Sequence, residues 1–230
     1  MSRHQVIVGS ALAGLVVGHA ALGTVAAQSG AAASQSVWEN ERMRVQWVSL
    51  APGDRVSRES TDGSVIVFMT TDLDGRMPPA EAAWQDPGPV TMENRGRSRF
   101  EALVVDLKGR ATRSGGATPP EVVRAFGPVA PSAIAGSYAA MMQAQNLVLN
   151  DRVSVTKESY AAAWSVEPLH FHPQDVVVVY LRSGYIWPTE SVYGPEHVRR
   201  GDVRVVPGNV LHTTFNAGSD PLEFLLIIPA

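Results

Sequence analysis

The chain has 230 residues, 45% of them hydrophobic and 18% charged, and a formal net charge of −3. That composition supports a sizeable core and excludes disordered and collagen-like classes. With no cysteine, disulfides, thiolate metal sites and a cysteine nucleophile are all removed, and the slightly acidic balance removes a broad basic face for nucleic acid.

Arg3 and His4 open the chain, and an apolar or small-residue run without acid or lysine follows from Val6 to Leu22. Val25-Ala26-Ala27 then supplies a small-x-small pattern. Together they predict a secretory signal peptide over 1–27, cut after Ala27, and export to the periplasm or beyond. Gly9, Ser10, Gly14, Gly18 and His19 interrupt the run, so no stable membrane span is expected after cleavage. Residues 28–36 are small and polar and read as a disordered lead-in.

From residue 37 the chain reads as short β segments parted by turns. In chain order they are 45–50, 65–69, 100–107, 153–155, 176–181, 203–206 and 222–228. Val, Ile, Phe and Tyr at these lengths, bounded by Gly, Pro, Asn and Asp, predict an all-β sandwich or barrel. The run 176–180 is apolar on both faces, as a fully covered strand would be. Residues 109–138 are rich in Gly, Pro, Ser and Ala and read as a linker, in which Pro119-Pro120-Glu121 is suited to open a short helix.

The segments echo each other across that linker. Asn40-Glu41-Arg42 matches Asn150-Asp151-Arg152, and 65–69 matches 176–180. Asn94-Arg95-Gly96 before Phe100-Glu101 matches Asn216-Ala217-Gly218 before Leu222-Glu223. Three features in one order predict two duplicated domains, 37–108 and 139–230.

Once the leader is removed, four histidines remain: His170, His172, His197 and His212. His170-Phe171-His172 places two imidazoles on the same face of a strand, where they could share a metal ion. Further on stands Gly201-Asp-Val-Arg-Val-Val-Pro207-Gly208-Asn209-Val-Leu-His212-Thr-Thr-Phe-Asn216. Here the sequence resembles the cupin superfamily, whose two motifs run G-x5-H-x-H-x(3,4)-E-x6-G and G-x5-P-x-G-x2-H-x3-N. The second motif fits at Gly201, Pro207, His212 and Asn216, with Asn209 in place of the middle glycine; the first fits at His170 and His172, with Gly184 one place late. Trp164 stands where the leading glycine should be and Val176 where the glutamate ligand should be.

The resemblance implies two cupin-type double-stranded β-helix (jelly-roll) barrels in tandem. It implies one divalent transition metal (Fe, Mn, Ni, Cu or Zn) on His170, His172 and His212. Asp175 joins that set only if the chain bulges at Pro173-Gln174, because one strand step reverses a side chain. In the first half the ligand positions fall at Glu59, Thr61, Val65 and Met92, so 37–108 is expected to be a degenerate, metal-free barrel. Tyr160 and Trp164 share the parity of His170 and, with Val176, are candidates to line a pocket beside the metal. Tyr180, Tyr185 and Trp187 suit a rim or an interdomain contact, Arg182 an acidic ligand or plain solvent, His197 a solvated loop, and Asn216 a turn. No catalytic residue is singled out.

The expectation is an exported cupin that binds a small oxygen-rich molecule at one metal, as a dioxygenase-like enzyme. The alternatives are a binding module without turnover and a purely structural site. Assembly as a homo-oligomer is left open.

Overall fold

A computed structural model describes residues 6–8, 33–70, 74, 81–109, 142–161, 165–167, 169–188 and 194–230. The described residues form strands, turns and loops.

The first half contributes β2 (Ala33–Glu39), β3 (Met43–Leu50), β4 (Arg55–Ser60), β5 (Ser64–Phe68), β6 (Ala82–Gln85), β7 (Gly88–Glu93) and β8 (Phe100–Leu107). They make a sheet of order β2-β3-β8-β5-β6 faced by the pair β4-β7. The second half contributes β9 (Met142–Leu149), β10 (Val153–Tyr160), β11 (Val176–Tyr180), β12 (Gly184–Pro188), β13 (Glu196–Val198), β14 (Val203–Val206), β15 (Thr214–Asn216) and β16 (Leu222–Pro229). Its large sheet runs β14-β11-β16-β10-β9, with β1 (Val6–Val8) parallel to β14 at the edge, and its small sheet runs β13-β12-β15.

Side-chain alternation explains why the longest apolar strands carry no polar face. In β5, Ile66 and Phe68 belong to the interior of the first barrel with Val48, Phe100 and Val104, while Val65 and Val67 join a core that spans both halves. In β11, Val176, Val178 and Tyr180 line the second barrel's interior, while Val177 and Val179 join the shared core. Each of these inner strands is therefore covered on both faces, which demands near-continuous hydrophobic runs. A fully buried Val or Leu side chain contributes about 1.5–3 kcal/mol, so the shared core is a main source of cohesion between the halves. Polar ties flank it: Lys157 pairs with Glu81 at 2.6 Å, Arg152 with Asp62 at 3.3 Å, and Arg200 Nη2 donates to the Met69 carbonyl at 2.8 Å.

The duplication is visible atom by atom. Asn40 Oδ1 accepts from the amides of Arg42 and Met43, and Asn150 Oδ1 accepts from those of Arg152 and Val153. Asn94 Nδ2 donates to the carbonyls of Leu50 and Ser98, and Asn216 Nδ2 to those of Ala161 and Asp220. The amides of Met69 and Thr70 meet the Glu101 carbonyl as those of Leu181 and Arg182 meet the Glu223 carbonyl. This last pair corrects the expected alignment by one residue, since Val65 corresponds to Val177 and not to Val176.

One boundary also differs from expectation. Residues 33–36, read as disordered lead-in, begin β2 and pair with β3. Val6–Val8, read as part of a leader, pairs in parallel with Val203–Val205. Residues 1–5 and 9–32 lie outside the described residues, as do all of the linker after Gly109 and the helix start at Pro119.

Candidate metal centre

His170 and His212 face each other across an antiparallel bridge. Each amide donates to the other's carbonyl, at 3.0 Å from His170 and 2.8 Å from His212. His172 lies two residues along the same chain segment, so all three imidazoles enter the interior of the second barrel. They are 3%, 6% and 5% exposed for His170, His172 and His212.

The loop before His212 is built to hold this arrangement. Asn209 has φ 60°, and among the described residues it alone is a non-glycine with positive φ. Asparagine is among the few residues that tolerate that region, which is why it serves where the motif has glycine. Gly208 must be small, because a Cβ there would come within 2.9 Å of the Pro173 carbonyl oxygen and of the Gln174 carbonyl carbon. The Asn209 amide donates to the His172 carbonyl at 2.6 Å, tying the loop to the opposite segment.

Donor geometry fits one ion. A ligand atom of each histidine lies within 4.8 Å of the others, and the Nε2 atoms of His170 and His172 are 2.9 Å apart. Two donors bound at about 2.1 Å and a right angle to one ion are about 3 Å apart. His212 Nδ1 donates to the Val210 carbonyl at 2.8 Å, which leaves its Nε2 lone pair as the free donor.

Asp175 has a different task. Its Oδ1 accepts from the Gly208 amide at 2.9 Å and its Oδ2 from Asn40 Nδ2 at 2.8 Å. It braces the His212 loop against the first barrel, on the face its strand parity predicts, and it is not part of the three-histidine group. Tyr160 and Val176 both lie in the apolar interior cluster of the second barrel. Trp164 lies outside the described residues. Asn216 holds its turn, His197 is an exposed residue of β13 against Tyr185, and Arg182 is exposed beside Glu223.

Sequence reasoning missed a buried carboxylate at the centre. Glu167 Oε1 is 3.2 Å from His170 Nε2. Val166 faces Phe215 but His170 faces His212, so four steps on one segment oppose three on the other. The extra residue between Glu167 and His170 reverses the face, and both side chains turn inward. The one available signal was Pro168, since proline within a strand pattern marks an edge or a bulge.

A second carboxylate lies deeper. Tyr160 Oη donates to Glu158 Oε2 at 3.1 Å. Burial pushes the Glu158 carboxyl up to about 7 against the opposing effect of that hydrogen bond, and burial together with Glu167 and Glu158 pushes the Tyr160 phenol well up. Burial, then the charges of His170 and His212, push His172 down to about 3.

These shifts have opposite signs in stability. As pH falls below 6.5 the unfolded His172 takes up a proton that the folded one refuses, so stability falls; as pH rises above 4.5 the unfolded Glu158 loses a proton that the folded one keeps, so stability also falls. Between 4.5 and 6.5 the two slopes oppose each other. In metal-free Glu158→Gln the opposing Glu158 contribution is gone, and its stability should drop more steeply than the wild type's on acidification through that window. Urea unfolding at a series of pH values reads this directly, and parallel curves for variant and wild type would contradict it.

The first barrel shows what replaced the ligands. Arg58 pairs with Val90 across β4 and β7 as His170 pairs with His212. The positions of His170, His172, Val176 and His212 are therefore Arg58, Ser60, Ser64 and Val90, which corrects the expected Glu59, Thr61, Val65 and Met92. The spacing misled because β4 lacks the extra residue of the second barrel, and Glu59 points to solvent while its neighbours turn inward. The Arg58 guanidinium pairs with buried Asp106, and burial, followed by the charge of Arg44, lowers it to about 10. Asp106 also accepts from Ser64 Oγ at 2.6 Å and from Arg44 Nη2 at 3.1 Å.

No protein-family model matches the sequence, and neither does any curated protein. Solved structures do match the fold. A cupin 2 conserved barrel domain protein from Leptotrichia buccalis superposes with a TM-score of 0.56 at 13% identity, covering 90% of this chain and 92% of its own. A salicylate 1,2-dioxygenase from Pseudaminobacter salicylatoxidans superposes with a TM-score of 0.58 at 8% identity, covering 85% and 76%. The same dioxygenase in a structure of adducts with gentisate gives 0.54 at 10% identity, covering 81% and 68%. The chain has the cupin fold, with two barrels in tandem. Among the described residues no helix is long and apolar enough to cross a membrane.

Proposed function

We propose that this is an exported cupin that binds one divalent transition metal through His170, His172 and His212 and converts a small oxygen-rich molecule in the manner of a dioxygenase. The convergence of three buried imidazoles carries the reading. Placing three ring nitrogens together in an apolar barrel costs desolvation and mutual repulsion, and a shared cation repays both. The bulged segment, the Asn209 turn and the Val210 carbonyl hold the rings in place without the metal, as a preorganised site requires.

When bound, a divalent metal would polarise an oxygen ligand as a Lewis acid. The chain's own part is to orient the three nitrogens, exclude water with Val176, Val178 and Phe224, and present Glu167 and the Glu158–Tyr160 pair as groups able to hold or pass a proton. The tandem likeness to the salicylate 1,2-dioxygenase supports a small acid or hydroxy-acid as ligand class. A binding module without turnover is the second reading, favoured by the near-complete burial of the rings, because catalytic metals keep an open position.

Elemental analysis of the exported protein, purified without chelator, tests the metal. About one Fe, Mn, Ni, Cu or Zn per chain is expected, and none after reconstitution would refute the reading. Oxygen uptake with small aromatic and hydroxy acids separates enzyme from binder. Export has its own check: the mature protein should begin at or near Gln28, leaving β14 as the sheet edge, and an intact Met1 would refute cleavage.

A further inference from the structure

We propose that the first barrel holds a small monovalent anion, such as chloride or formate, against the guanidinium of Arg58. The inference goes beyond the metal reading and does not depend on it, since it concerns the barrel without histidines.

Four strands bring a polar layer together at one end of that barrel. Arg44, Asp106 and Ser64 lie in one row across β3, β8 and β5, on the face that also carries Val48, Val104 and Ile66. Arg58 reaches the row from β4 in the facing sheet, and its side chain is only 11% exposed. In the second barrel the same row reads Ser154, Ile228 and Val176, and His170 stands at the place of Arg58. The cationic layer therefore belongs to the first barrel alone.

The acceptors of this layer are used up before its donors. Ser64 Oγ donates to Asp106 Oδ1 at 2.6 Å, and Ser60 Oγ stands 2.7 Å from Ser64 Oγ. Arg44 Nε and Nη2 donate to Asp106 Oδ2 at 3.3 and 3.1 Å, and Arg58 Nη2 pairs with Oδ1. Asp106 thus already serves Ser64, Arg44 and Arg58. Arg58 Nε and Nη1 are buried and have no hydrogen-bond partner among the described residues. A buried N–H of this kind costs free energy unless an acceptor meets it. Glu59, the next acid along β4, points to solvent. Two guanidiniums share one carboxylate, so the layer also carries one positive charge in excess. Water would supply an acceptor only; an anion of one charge supplies the acceptor and balances the excess.

Packing sets the size of the occupant. The interior beside Arg58 is filled by Val48, Leu50, Val90, Met92 and Phe100, and a close-packed apolar wall limits the ligand to a few atoms. Arg44, whose side chain is 37% exposed, forms the rim and draws anions in from solvent.

Broadening of the chloride NMR line by the full chain tests the site, with formate as competitor, in a buffer whose other anions are bulky sulfonates. The wild type should broaden the line saturably, and formate should reverse it. Broadening that formate leaves unchanged would uphold the site with a halide as its occupant. His212→Ala should broaden the line as the wild type does, which separates this site from an anion on the metal. Arg44→Gln should weaken chloride roughly tenfold, because the excess charge is gone. Arg58→Met combined with Asp106→Leu should abolish the saturable part. If that double variant fails to fold by circular dichroism, Arg44→Gln alone decides. No saturable broadening by the wild type would overturn the proposal. So would wild-type affinity in a folded double variant or in Arg44→Gln, and the donors of Arg58 would then be met by water only.

Discussion

Replacing His212 by alanine is expected to reduce the metal content of the purified protein from about one ion per chain to almost none. On the proposed reading, His212 is the ligand that closes the site. His170 and His172 come from one segment, and only the bridge between His170 and His212 brings a donor from the other side. The Val210 carbonyl fixes its tautomer, so the variant loses a preoriented nitrogen and not merely a side chain. Structural Zn2+ in zinc-finger peptides binds with about 10–16 kcal/mol through four ligands, and one ligand on that scale carries roughly 3–4 kcal/mol, or on the order of 10²–10³ in affinity. His197→Ala is the matched control. His197 is exposed on β13 against Tyr185 and belongs to no ligand group among the described residues, and its variant should keep full metal. Equal losses in the two variants would show that the metal is held elsewhere.

What could be read from the sequence follows the physics of each element. The inner strands of the two large sheets are buried on both faces, so β5, β8, β11, β14 and β16 announce themselves as apolar runs. The strand β4 reads Arg-Val-Ser-Arg-Glu-Ser, alternating between solvent and barrel, and its inward arginine disguises it as a loop. The three histidines were legible because so few histidines exist, because His170 and His172 have strand spacing, and because His212 falls in the Gly201–Asn216 element that resembles the second cupin motif. Glu167 was not legible, because strict alternation places it on the face opposite His170. Only an extra residue reverses that, and Pro168 gives no hint of which way the chain turns. The alignment of the repeats slipped for a related reason. Four consecutive valines in β11 look the same when shifted by one, and only the hydrogen bonds to the Glu101 and Glu223 carbonyls decide the register.

The first barrel offers the second large effect, in stability. Asp106→Ala should destabilise the protein by about 3–5 kcal/mol, the usual cost of stranding a buried charge. The charge stranded is that of Arg58, whose guanidinium stands at the position of His170 and whose Nε and Nη1 are buried without hydrogen-bond partners. Asp106 is its counter-ion and also receives Ser64 and Arg44. In the second barrel the positions of Ser64 and Asp106 are Val176 and Ile228, so the polar network exists only where the histidines are absent. The first barrel thus carries a cation of its own chain where the second places three histidines. If that is the source of the cost, removing both charges should undo most of it, because apolar replacement of a buried ion pair is commonly neutral or stabilising. Arg58→Met combined with Asp106→Leu should therefore unfold in urea near the wild-type midpoint, with its metal content unchanged. A double variant as unstable as Asp106→Ala would instead assign the loss to the severed Ser64 and Arg44 contacts, and the buried arginine would be a passenger of the network rather than its reason.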